Sequence, residues 1–462
     1  MFKKILKFFF IIILFYQSTS YSKSTSLENF NSKDLSNYFS GIVAFENKKN
    51  TEALKFFNSS KVLLNQHDPY LKRYITALVL ENKVSQAINV VSKNKNKKNI
   101  DFFEAYLLLV LDSLKKNNIE KAYTDLKIAF TFAEQERFNS AILETLNEYI
   151  FVFKEKKLLN AKKNFGNLSI ITETFQKCYL DDVKTENYFS NLVNKNDADY
   201  SRYIYFYLTY LIKKNKFNEI KKLISKFDYL NSTLLLSQGK SWIESGNYEK
   251  FQNIFSCQNH NHIISEFLFL ISNLYSSEEN FEKSNFYLYL SNYLNPKFIY
   301  NLSLVVENYF LNGDYMKSKK ILYKFKKIDN FYYWFRLKKE AQMIAKQKNQ
   351  KASLNYIISE FNKIKKPNNK IIFDMADFYK KTKDYKKAIE YYTKVIDNLD
   401  DNSDLKSDIL YRRGGSYERN GDYINADKDL LQSLSIDPSD AYVLNYLAYS
   451  WLEREYKIDK AI

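Results

Sequence analysis

The cluster Cys257-x-x-His260-x-His262 gathers the residue types that ligate metals. Thiolate and imidazole are common zinc donors, and a closed structural zinc site takes four ligands. Only three stand together here, with Glu266 the best fourth candidate nearby. A polar loop between repeats is the better account of them, so no metal and no cofactor is assigned. The chain has 3 His in all, too few for most catalytic machinery, and His67 is followed by Asp-Pro in a link. It contains no Gly-x-Gly-x-x-Gly, P-loop, Gly-x-Ser-x-Gly or His-Glu-x-x-His motif. The acidic pair Asp400-Asp401 reads as a solvated turn. No enzyme is expected.

The elements that hold these residues follow a frame best seen in Gly414–Pro438. After Gly414 come Tyr417, Gly421, Tyr423, Ala426, Leu430, Ser433 and Pro438. The same frame returns as Val306, Tyr309, Gly313, Tyr315, Ser318 and Leu322, and as Ala376, Tyr379, Tyr385, Ala388 and Tyr392. Ser272, Tyr275, Phe281, Ser284, Leu288, Ser291 and Pro296 repeat it once more. A unit of about 34 residues is the signature of a helical repeat array. Apolar residues at i, i+3, i+4 and i+7 make both halves of each unit amphipathic helices. Asn-Gly-Asp at 420–422 and 312–314 separates the halves, glycine there taking φ > 0.

A small residue in the second helix serves as a ruler: Ala53, Ala87, Ala122, then Ser284, Ser318, Ala352, Ala388, Ala426 and Ala461. Ile220 and Phe251 stand at matching positions. The stretch between Ala122 and Ile220 has room for two decayed units, with Lys156–Lys163 and Asn194–Asp199 as loops. The buried aromatics fill core and are no cofactor box. Cys178 and Cys257 are the only cysteines. In an exported chain they could pair. They fall in different units, however, and stacked repeats contact only neighbours, so two buried free thiols are expected.

The pattern resembles the tetratricopeptide repeat, most strongly over 265–461 and fairly over 34–135. Three departures stand out. Lys383 holds a place usually taken by glycine, and Glu340 and Phe251 hold places usually small, so those units are expected to pack loosely or to be shifted by a residue. More narrowly, Phe331-Tyr-Tyr-Trp-Phe-Arg-Leu, the run Tyr411–Asp422 and Val443–Trp451 resemble exported alphaproteobacterial proteins of this repeat family, whose function is unknown. The implied fold is all-α, a right-handed superhelical solenoid of antiparallel helix pairs. Its parts are a signal peptide (1–22), N-terminal repeats (23–135), degenerate helical repeats (136–200) and a C-terminal array (201–462) with an incomplete last repeat. That incomplete repeat leads to the expectation that the natural protein continues past Ile462.

Stacked first helices form an extended groove in such arrays. Phe373, Asp377, Lys380, Tyr411, Glu418, Arg419, Asn445 and Tyr449 are the residues expected on it. Arg419 offers a planar fork for a carboxylate, and Asn445 can serve both donor and acceptor of a peptide backbone. A protein or peptide partner is the expectation.

Formal net charge is +17. It is unevenly spread: residues 369–462 carry 15 basic and 18 acidic side chains, while 312–366 carry 15 and 4. A helical-repeat array with so basic a tract has RNA binding as its alternative function. The N-terminus argues against that alternative. Lys3, Lys4 and Lys7 precede the apolar run Phe8–Phe15 and a polar Gln17–Ser22, the order of a secretory signal. The run is shorter than the roughly 20 residues that span a bilayer. Cleavage after Ser20 or Ser22 and a periplasmic location are expected, an uncleaved inner-membrane anchor being the alternative. No nucleic acid is expected, and oligomeric state is left open.

Overall fold

The computed structural model describes residues 31–461, apart from 66–67, 96–99, 161–162, 195–200 and 400–404. His67, Asp400-Asp401 and the N-terminal signal segment lie outside the described residues, as does most of the Asn194–Asp199 loop. All regular structure among the described residues is helical. Successive helices pack as pairs, beginning with Ser32–Glu46 on Asn50–Ser59 and ending with Leu405–Arg419 on Tyr423–Ile436 and Ala441–Glu453 on Ile458–Ala461. Between Ile119–Ala129 and Phe217–Ile224 stand one lone helix, Asn139–Glu155, the pair Asn167–Tyr179 and Thr185–Val193, and the first helix Ser201–Lys213.

The turn inside each pair is a conformational repeat more regular than the sequence. Lys48, Asn82, Asn117, Asp181, Asn215, Gly246, Glu279, Gly313, Lys383, Gly421 and Glu455 all have positive φ. In each turn that residue's N–H bonds the carbonyl three residues back. The next N–H bonds the carbonyl five residues before itself, as in Lys383 to Lys380 (3.0 Å) and Asp384 to Tyr379 (3.0 Å). These paired bonds satisfy the last carbonyls of the first helix and reverse the chain. Lys383 therefore does what the glycines do, at φ 63°, and its unit is not loosened by the missing glycine.

The ruler holds in burial. Ala53, Ala87, Ala122, Ser284, Ser318, Ala388 and Ala426 are fully enclosed. Ala352 is not: Ser353 takes that place, its hydroxyl donating to Ala341 O at 2.7 Å, as Ser318 donates to Val306 O at 3.0 Å. The unit is shifted by one residue, and Ala341, rather than Glu340, is its close-contact residue. The helix Asn330–Gln347 runs to 18 residues and ends at Lys348, which has φ −124° and forms no left-handed turn. Phe251 is fully buried and stacks on Tyr205 at 4.9 Å. Gly239 makes the space, since a Cβ there would stand 3.2 Å from the Phe251 ring. Bulk has moved from one helix to its partner, and packing is kept.

The array also folds back on itself. Phe281–Leu294 packs on Asp68–Leu80, and His260–Ser277 packs on Phe103–Lys115, Asn139–Glu155 and Asn167–Tyr179. One apolar cluster consequently runs unbroken from Tyr38 to Met343. Charges seal this seam. Lys283 Nζ reaches Glu104 at 3.1 Å and Glu136 at 2.7 Å, and Lys115 donates to the carbonyls of Tyr293 (2.8 Å) and Leu294 (3.0 Å). Buried Glu266 receives both arms of Arg202 at 2.7 and 2.6 Å, and the guanidinium lies 3.7 Å from the Phe269 ring centre.

Fold-back overturns the expectation of free thiols. Cys178 and Cys257 form a disulfide across a separation of 79 residues, with Cα atoms 5.6 Å apart. Non-neighbouring units meet because the link 255–259 lands on the end of Asn167–Tyr179, where Gln258 also donates to Cys178 O at 3.0 Å. His260 bonds Leu114 O at 2.8 Å, and His262 Nδ1 accepts from Ser256 N at 3.0 Å. Burial lowers the pKa of both imidazoles, that of His262 to about 4. With its thiol in the bridge, the Cys257/His260/His262 cluster is a clasp, and no group of metal-ligand residues occurs among the described residues.

Two outcomes test this account. Relieving the left-handed strain with Lys383→Gly should stabilise the chain by about 0.5–1 kcal/mol, while Gly421→Ala should cost about 1–2 kcal/mol. Urea-unfolding midpoints moving the other way would contradict the turn assignment. At the seam, burial raises the Glu104 pKa, but Lys283 and Lys72 outweigh it and hold the carboxyl below its usual range. Its stabilisation is complete above the ordinary glutamate value of about 4 and is lost as pH falls through the lower folded value. Lys283→Ala should cost about 3 kcal/mol and move acid unfolding to higher pH, read by circular dichroism.

Candidate partner-binding groove

The helices Asp68–Leu80, Phe103–Lys115, Asn139–Glu155 and Asn167–Tyr179 are covered by the chain's own later helices His260–Ser277 and Phe281–Leu294. The first helices Asn369–Lys381, Leu405–Arg419 and Ala441–Glu453 carry no such cover in the contacts described. Each is positioned by its pair partner through buried residues, the small Ala376 and Gly414 and the larger Leu447 among them. A Cβ on Gly414 would lie 3.1 Å from Leu430 and 3.3 Å from Ala426 O, so only glycine lets those helices approach this closely.

Side chains nine residues before each turn reach back to the preceding unit. Asp374 accepts from Trp334 Nε1 at 2.8 Å and pairs with Lys338 at 2.9 Å. Arg412 stands 3.5 Å from Asp377 and over the Phe373 ring at 5.2 Å. Tyr446 donates to Glu418 at 2.9 Å. Sequence reasoning passed over Asp374, Arg412 and Tyr446, although their shared position in the frame was a usable signal.

The predicted residues divide accordingly. Phe373 is buried edge-on against Tyr392, and Asp377 accepts from Tyr392 OH at 2.5 Å. Tyr411 is half-buried against Tyr446, and Glu418 holds both Tyr446 and Arg419, the latter at 3.3 Å. These four form a cross-unit network. Arg419 (61% exposed), Tyr449 (64%) and Asn445 face solvent. Lys380 makes no hydrogen bond or ion pair among the described residues; its Nζ lies 3.8 Å from where a Gly415 Cβ would stand. Burial and nearby Arg412 lower its pKa. Tyr442 (81% exposed) extends the free row. The groove thus offers two cations, an amide and two phenols, which suits an extended segment carrying carboxylates.

The tetratricopeptide-repeat family model matches residues 370–398 and 407–440, the two units that carry most of the groove. No curated protein matches the chain. Among solved structures, the chain is similar to the APC/C hetero-tetramer Cut9–Hcn1 at 11% identity, covering 94% of this chain and 92% of that one, TM-score 0.32. It is similar to yeast Tom70 at 13% identity, covering 91% and 96%, TM-score 0.33. The tetratricopeptide-repeat domain of P58(IPK) is similar at 13% identity, covering 92% and 99%, TM-score 0.24. The matched segments are tetratricopeptide repeats, and the helix pairs among the described residues form an all-α repeat fold. Such repeats are scaffolds for protein–protein interaction. No helix among the described residues is long and apolar enough to cross a membrane.

The division of site residues is testable without a partner. Phe373→Ala should destabilise by about 3–5 kcal/mol, as loss of a buried aromatic does. Tyr449→Ala should stay within about 0.5 kcal/mol. Similar denaturation midpoints for the two variants would refute the division.

Proposed function

We propose that this chain is an exported scaffold of a bacterial cell envelope, holding an extended acidic segment of a protein partner along its last three repeats. One observation carries the reading: the first-helix face is filled by the chain itself in the N-terminal part, yet stays open where Lys380, Arg419, Asn445 and Tyr449 stand. Open aromatic surface flanked by exposed polar groups is what a peptide groove needs. Support for export comes from the basic-apolar-polar order of the first 22 residues and from the disulfide, a bond that persists in oxidising compartments.

Capture from envelope extracts tests both parts. Wild-type chain should retain a partner that an Arg419→Ala/Asn445→Ala variant loses by about tenfold or more, as removal of central interface anchors does. Identical recovery by both forms would refute the groove. In the same material, a chain mass retaining Met1–Ser20 would refute cleavage of the signal.

A further inference from the structure

On the edge of the array away from the groove, two successive links between units run side by side: 323–329 and 362–368. Lys327 from the first and Lys363, Lys365 and Lys366 from the second surround a cleft of about 480 Å³. Their local acids are already engaged. Glu360 holds Lys363 at 2.6 Å, and Asp329 accepts from Trp242 Nε1 at 3.1 Å and Lys250 at 2.8 Å. Lys327, Lys365 and Lys366 make no hydrogen bond or ion pair among the described residues, and all three are exposed at its mouth. Two helices of 18 and 13 residues begin at the cleft, at Asn330 and Asn369, and add the positive ends of their dipoles. Asn330 and Asn368 bring amide donors, while Tyr333 and Ile364 form a partly apolar wall.

Four ammonium groups, only Lys363 of them paired, and two helix starts around a cleft leave positive potential without a counter-ion, because Glu360 and Asp329 are both engaged. We infer that this cleft is a binding site for a phosphate-bearing anion, held by Lys327, Lys365 and Lys366. Lysine suits phosphate as a point charge, and the cleft volume falls within the roughly 300–1,000 Å³ of small-ligand sites. The site is separate from the groove and does not depend on it.

Calorimetric titration with inorganic tripolyphosphate at low salt, alongside flotation with phosphatidylglycerol vesicles, tests the inference and separates a free phosphate from a lipid headgroup. The variant Lys327→Ala/Lys365→Ala/Lys366→Ala should bind at least about tenfold more weakly. A control, Lys346→Ala/Lys348→Ala/Lys351→Ala, removes the same charge from the opposite edge and should stay within about twofold. Binding of tripolyphosphate assigns a free ligand, and binding of vesicles alone assigns a headgroup, provided either is lost with the cleft lysines. Failure of both probes overturns the site. So does equal weakening in both variants, the mark of diffuse attraction to any polyanion, nucleic acid included.

Discussion

The contact of Lys283 with Glu104 and Glu136 is the hinge of this molecule's architecture. It ties the pair His260–Leu294 to helices nearly two hundred residues earlier and closes the array on itself. A buried charge network adds little net stability, because desolvation offsets most of the Coulomb gain. Its value is in register: any other docking of Phe281–Leu294 would strand three charged groups. The apolar cluster around it supplies the driving force, and the Cys178–Cys257 bridge holds the same closure from the other side.

Closure divides one repeat family into two kinds of surface. Where the chain covers its own first helices, those helices become core and their inner faces are lost to partners. Beyond Asn330–Gln347 the core thins to two smaller clusters. There the polar row lies open, stiffened by the back-reaching Asp374, Arg412 and Tyr446. Rigid spacing between open residues lowers the entropy that a bound segment must lose.

The frame was legible because it is local. Apolar periodicity, small residues at the helix crossing and the turn between paired helices all depend on residues within one unit. Where the reading slipped, a local substitution had a compensation that letters do not show. Lys383 adopts a left-handed conformation without glycine because two backbone hydrogen bonds over-determine it. Phe251 fits because Gly239 yields, and Ser353 replaces Ala352 because an 18-residue helix shifts the register. The groove was half legible: helical spacing located the face, but not which of its side chains were already spent on neighbours. Phe373 is core, and Asp377 and Glu418 are bonded across units, whereas Asn445 and Tyr449 face solvent and Arg419, paired with Glu418, stays 61% exposed.

By itself, then, the sequence determined the all-α repeat, its period, its hairpin turns and which side chains share the first-helix face. All of these follow from interactions spanning fewer than about 40 residues, within one repeat. Only the tertiary structure decided that Cys178 meets Cys257, that the histidines beside it are clasp and not ligand, and that one stretch of groove stays open. Those outcomes rest on the curvature accumulated over many units. Small rotations between stacked pairs add up, and no single unit encodes where the sum brings the chain back onto itself.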